Sequence, residues 1–258
     1  MSWLGLALAN LRSAPLTSTV NALLLALGTA SIVLLLLAGD QFARVIARDA
    51  KGIDLVLGAP GSPLQLVLSS VYHADIPTGN IPLHEAERWA DDPRVAAAVP
   101  VALGDSYRGF RIVGTTPDYA AIYAARLAEG QYWEQPMQAV VGAAVSRETD
   151  LTLGATFAGA HGLTGSGHSH EHSLYRVVGV LAPTGTVLDR LVLTSLDSVW
   201  TLHGHFGESD ETHAEHAEHA EHAEHEEHEE HGGQAAPSEH SQREITAMLL
   251  QYASPLAA

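Results

Sequence analysis

An α+β fold behind an N-terminal transmembrane helix is what this chain predicts, on three observations. One apolar run stands near the N-terminus, strand-like segments separated by single helices follow it, and two histidine-rich tracts read as disordered insertions in that mixed α/β part. The run from Leu16 to Ala38 holds 23 residues without a charge, with Thr17, Ser18, Thr19, Asn21, Thr29 and Ser31 its polar members. At ~1.5 Å per residue it spans the ~30 Å hydrocarbon core of a bilayer. A cleaved signal core runs ~7–15 residues to a small-x-small site. Here the run is longer and Leu36-Leu37-Ala38-Gly39 matches such a site poorly. An uncleaved anchor is therefore the leading reading, over a removed signal peptide or a buried soluble helix.

Ahead of the span, residues 1–15 read as a short interfacial helix, with Leu4, Leu8 and Leu11 on one face, Trp3 beside them, and Pro15 as a break. Asp40 to Lys51 continues the span helically into water, and Gly52 ends it. The folded domain is expected over residues 39–207. Strands are expected at Ile53–Leu57, Ala97–Leu103, Tyr107–Val113, Ala139–Val141, Tyr175–Leu181 and Leu191–Thr194. Helices are expected at Leu83–Ala90, at Pro117–Ala128 with proline in its first turn, and at Leu196–Leu202. A Gly/Ser/His loop covers 161–173 and an Ala/Glu/His tract covers 208–237. Residues 238–258 return to the domain, with Glu244–Leu250 read as a helical turn or two.

The formal charge of −17 comes largely from that tract. Eleven of the 30 acidic residues lie between Glu208 and Glu230, where no Lys or Arg occurs; the remaining 19 stand against 13 basic residues, an ordinary soluble surface. No basic stripe is present for nucleic acid, and that class of partner is discarded. The absence of cysteine removes disulfide and thiolate-metal frameworks. Flanking charges (Arg12 on one side; Arg44, Arg48 and Lys51 on the other) leave orientation open, because the positive-inside rule weakens for long translocated domains.

His213, His216, His219, His222, His225, His228 and His231 recur at a strict period of three. Neutral imidazole binds Zn²⁺, Ni²⁺ and Cu²⁺, and the interleaved glutamates offer oxygen ligands. On a helix, steps of three carry the ligands around the whole cylinder, so several weak, exchangeable Zn²⁺ or similar sites are expected, with no cofactor required. The bland alternative is a solvated low-complexity insertion grown by repeat expansion. His168, His170 and His172 alternate in the shorter tract, near His161, and form a second ligand set; His203 and His205 precede the longer one. His73 and His84 lie in ordered-looking sequence and read as structural. No HExxH, GxSxG or GxxxxGK[ST] pattern occurs, so neither hydrolase nor ATPase chemistry is expected of this chain.

Leu6-Ala-Leu-Ala-Asn-Leu-Arg-Ser-Ala-Pro-Leu, running into the span, resembles the opening of MacB/FtsX-type ABC transporter permeases. Asp54-Leu-Val-Leu-Gly-Ala-Pro-Gly-Ser-Pro-Leu-Gln-Leu and Ile76-Pro-Thr-Gly-Asn-Ile-Pro resemble a branch linked with zinc-responsive genes. Arg111-Ile-Val-Gly-Thr-Thr-Pro-Asp-Tyr and Tyr175-Arg-Val-Val-Gly-Val-Leu are similar to segments of that family's periplasmic core domain. The resemblance implies a cytoplasmic N-terminus, a periplasmic domain at the bacterial inner membrane, and a permease homodimer driven by a separate cytoplasmic ATP-binding subunit. Three further spans are expected of such a permease; their lack here makes this chain a fragment or a truncated product. Zinc or another divalent metal is the expected cargo, with membrane lipid and a periplasmic metal-binding protein as further partners. Two other readings stay open: a membrane-anchored metal-binding or sensing protein without transport, and a permease for lipid, lipoprotein or peptide in which the His tract is a passenger.

Overall fold

The computed structural model describes Trp3 and residues 12–161, 169–204 and 243–254. Most of the interfacial segment and the whole 208–237 tract therefore lie outside the described residues. The chain divides into two units, residues 1–48 and 49–258. In the first, α1 runs from Pro15 to Asp49, 35 residues with none buried, longer than the expected span because the polar continuation after Ala38 stays helical. Thr19, Thr29 and Ser31 return their hydroxyls to carbonyls three or four residues back, which hides their polarity within the helix.

In the second unit the strands are β1 (Leu55–Gly58), β2 (Ile81–Pro82), β3 (Val95–Tyr107), β4 (Phe110–Thr115), β5 (Leu127–Gly130), β6 (Gln138–Val141), β7 (Thr156–His161), β8 (Ser169–Leu181), β9 (Leu191–Ser195), β10 (Glu244–Ile245) and β11 (Ala247–Tyr252). The helices are α2 (Pro63–Ser70), α3 (Leu83–Ala90), α4 (Asp118–Ile122), α5 (Ala143–Thr149) and α6 (Leu196–Gly204). The main sheet runs β1-β11-β3-β4-β9-β6-β8-β5 and mixes parallel with antiparallel pairs. β7 joins β8 to β3, so six strands, β3-β4-β9-β6-β8-β7, close into a ring. One face of the sheet packs Val99, Val101, Val113, Leu193 and Val140 against Val71, Tyr119 and Ala120. Ile112, Val141, Val192, Phe157 and Tyr175 pack on the other, with Val145 of α5 and Leu202 of α6.

Four expectations fail, each for a local reason. Tyr107–Val113 is two strands, because Arg108 and Gly109 both take positive φ (48° and 84°) and turn the chain into a tight hairpin. The helix expected over Pro117–Ala128 stops at Ile122: Ala124 is left-handed, and residues 127–130 pair with β8 instead. Glu244–Leu250 is strand, because β11 fills the slot between β1 and β3, where apolar residues are buried on both faces and the run loses its period-2 signature. The stretch 161–173, expected as a disordered loop, is strand at both ends: His161 closes β7 and residues 169–173 open β8. α2, α5, β2, β5 and β7 have no counterpart in the sequence reading.

Gly142, the cap of α5, has an ordinary φ of −66°, so backbone freedom does not require glycine there. Space does: a Cβ would lie 2.2 Å from Leu188 O and 2.5 Å from Asp189 O, both backbone atoms that cannot swing away. Gly142→Ala is expected to destabilise the domain by about 2 kcal/mol in urea denaturation, a typical overpacking cost.

Candidate functional site

Buried polar groups gather on the Tyr119 face of the sheet, where α4 presents Tyr119 and the following cap residue is Tyr123. The four-residue spacing sets the two rings edge to face, centroids 5.8 Å apart. His73 stands at a left-handed φ of 52° just past α2, and its Nε2 lies 2.8 Å from the Tyr119 hydroxyl. Tyr123 donates its hydroxyl proton to the Asp49 carbonyl at 2.6 Å. Asp49 Oδ1 accepts the Val187 amide at 3.0 Å, and Val187 follows a turn that Asp189 ties through Thr184 and Gly185.

A carbonyl can only accept, so Tyr123 donates to Asp49. Tyr119 meets Tyr123 ring edge to face, and its hydroxyl shares a hydrogen bond with His73 Nε2 whose direction follows the imidazole tautomer. Burial pushes both tyrosines well above the usual phenol range. Burial, aided by the Arg111 guanidinium, lowers His73 to about 3. None of the three changes protonation near neutrality. The arrangement is suited to fixing Asp49, the first residue of the aqueous unit, and has no group poised for acid–base catalysis.

Arg111, on β4, is 5% exposed and donates to the Asp75 backbone carbonyl. Burial depresses its pKa, opposed by the Asp75 carboxylate. Arg111 Nε and His73 Nδ1 are buried without a hydrogen-bond partner among the described residues. The loop that follows is fixed by side chains: Gln65 donates to Ile76 O at 3.1 Å and Thr78 to Ala59 O at 3.2 Å. The two segments quoted above for the permease resemblance, 54–66 and 76–82, are thus packed against each other.

The proposed metal ligands are not brought together by anything described. His168 and His213, His216, His219, His222, His225, His228 and His231 lie outside the described residues, while His170 and His172 fall on the backbone of β8. Among the described residues, no group of three or more His, Cys, Asp or Glu could hold a metal ion. His84 is exposed on α3. Sequence reasoning passed over Asp49, Asp75, Arg111, Tyr119 and Tyr123; the Tyr119/Tyr123 spacing was the one available signal.

The mixed-sheet domain follows one helix long and apolar enough to cross a membrane. The family model described as the MacB-like periplasmic core domain matches residues 18–220. The chain belongs to that family and supplies the periplasmic domain of a MacB/FtsX-type ABC transporter permease. It is similar to the periplasmic region of MacB from Actinobacillus actinomycetemcomitans, with 10% identity, TM-score 0.43, and 80% of this chain and 78% of that one covered. It is also similar to the extracellular domain of the noncanonic ABC-type transporter YknZ from Gram-positive bacteria, with 11% identity, TM-score 0.40, and 78% and 83% covered. No curated relative matches the chain.

Because His73 is lowered from 6.5 to about 3 in the fold, the unfolded chain binds its proton more readily. The stability held by the neutral imidazole is complete above about pH 6.5 and is lost as pH falls from there toward 3, at up to ~1.4 kcal/mol per pH unit. Urea denaturation between pH 7 and 4 is expected to show a shallower pH slope in His73→Asn, which tolerates the left-handed backbone. Tyr119→Phe is expected to cost about 1–3 kcal/mol at neutral pH, since it strands the buried His73 Nε2 that its hydroxyl meets.

Proposed function

We propose that this chain is the N-terminal portion of a permease subunit of an ABC transporter complex in the bacterial inner membrane, serving zinc or another divalent metal. The family match carries the permease reading, because it runs through most of α1 and on into the domain. In this reading α1 crosses the bilayer with its N-terminus in the cytoplasm, and the domain stands outside. Two copies pair in the membrane, and a separate cytoplasmic subunit hydrolyses ATP.

The metal reading is supported by the two His-rich segments and by the resemblance to the zinc-linked branch. The imidazoles would take metal up as neutral ligands from solution or from a periplasmic metal-binding protein. Trp200 Nε1 donates to Glu244 O at 2.7 Å and the Arg243 guanidinium stacks over the Trp200 ring at 5.3 Å, so the chain entering and leaving residues 205–242 meets at one place.

Affinity purification of the chain from its own membranes is expected to bring down an ATP-binding subunit; a chain that purifies without one is a free-standing anchored protein. Calorimetric titration with Zn²⁺ tests the cargo. Removing 208–237 is expected to lower the number of ions bound without changing the urea midpoint, and binding is expected to weaken as pH falls below ~6.5. Identical zinc binding with and without the tract would remove it from the account.

A further inference from the structure

β3 is paired on both sides only along its second half. β11 runs beside Val95–Val101, whereas β4 begins its ladder at Ala102. The Thr115 hydroxyl ends that ladder by donating to the Pro100 carbonyl at 2.7 Å. Pro100 has no N–H to carry the ladder further, and after Pro117 the chain turns away into α4.

The direction of the unpaired groups follows from alternation along the strand. The Val101 carbonyl and the Leu103 amide face the β11 side, where Thr246 takes both. The Pro100 carbonyl faces the opposite side, toward Thr115. Ala98, two residues earlier, faces the same way as Pro100, and among the described residues its N–H and C=O meet no strand there. Ala96 is the residue that the β11 register skips between Gln251 and Tyr252.

These positions line a groove of about 480 Å³ whose other walls are Asp118, Ala121 and Ile122 of α4 and Gln251 of β11. Three successive alanines leave the strand edge clear of side-chain bulk. Asp118 is the only charged lining residue among those described, and its carboxylate accepts from the Thr116 hydroxyl at 3.3 Å.

We propose that this groove docks an extended peptide segment of a partner protein, which adds a strand at Ala98 and sets a Lys or Arg against Asp118. The chemistry selects a peptide. An amide and a carbonyl side by side on a strand edge are satisfied together by another backbone, while a lipid tail would satisfy neither. The carboxylate beside them favours a cationic side chain at one fixed register position. Nothing in this depends on the metal reading above.

The test uses the full chain in detergent and reads amide hydrogen exchange. The probe is a seven-residue peptide of alternating Thr and Val with one central Lys; one control carries Glu in place of Lys, and another carries prolines that cannot pair. In the free chain the Ala98 amide is expected to exchange far faster than those of Ala97 and Val99, which face β11. The Lys peptide should slow it at least about tenfold, with the Glu peptide several-fold weaker. Ala98→Pro removes the outward donor where no ladder bond is lost, so binding should fall at least about tenfold with the melting temperature little changed. Should Ala98→Pro fail to fold, Asp118→Asn decides instead, and is expected to abolish the preference for Lys over Glu. A protected Ala98 amide in the free chain, equal binding of the proline peptide, or the same protection from phosphatidylglycerol vesicles would each overturn the proposal.

Discussion

The fold turns on β3, which pairs with β11, β4 and β7 and so joins the closed ring to the strands β11 and β1 beyond it. Its first half takes β11 as neighbour, and its second half takes β4 and, at Asp105 and Ser106, β7. Val99, Val101 and Leu103 are buried along it, and Val99 and Val101 have no exposure. Each such side chain contributes roughly 2 kcal/mol of burial. The neighbour that completes this core arrives last in sequence: Leu249 pairs with Val99 and Leu55 with Leu250. Val99 and Leu249 are 150 positions apart, so this part of the core is built from non-local contacts.

That arrangement also explains which elements the sequence could show. Ala139–Val141, Leu191–Thr194 and Leu83–Ala90 were legible because each carries its own local signal, an apolar run or an amphipathic turn bounded by breakers. β11 was not, since Met248, Leu249 and Leu250 are buried together in the sheet interior and a run buried on both faces carries no period. The alanine-rich stretch after Pro117 has the composition of a helix and gives only five helical residues, because pairing of Leu127–Gly130 with β8 outweighs intrinsic propensity. Ring closure by β7 was equally hidden, since half of its hairpin reads as Gly, Ser and His.

The buried network was legible only in part for a different reason. A buried polar cluster drawn from residues 49, 73, 119 and 123 has no sequence period, and each member alone is unremarkable. His73 could be read as structural from its ordered setting, but its partners could not. Two hydrogen bonds, His73–Tyr119 and Tyr123–Asp49, are joined by the edge-to-face contact of the two tyrosine rings. Burial, with the Arg111 guanidinium adding to it, keeps His73 neutral.

The folded core bears on how a chain of this kind accommodates a long polar, histidine-rich sequence between α6 and β10. Trp200 on α6 and Arg243–Glu244 on the way into β10 hold the entry and exit of the 205–242 segment in contact. The closure cost of such a segment grows only logarithmically, about 0.6 kcal/mol for each doubling of length. Added repeats of Ala, Glu and His therefore cost the sheet almost nothing, and the number of imidazoles is free to change without altering β10, β11 or the core they complete. Among the described residues His73 is committed to Tyr119 and no group of three or more His, Cys, Asp or Glu could hold a metal ion, so the metal reading proposed above falls on the His-rich segments rather than on residues that hold the fold.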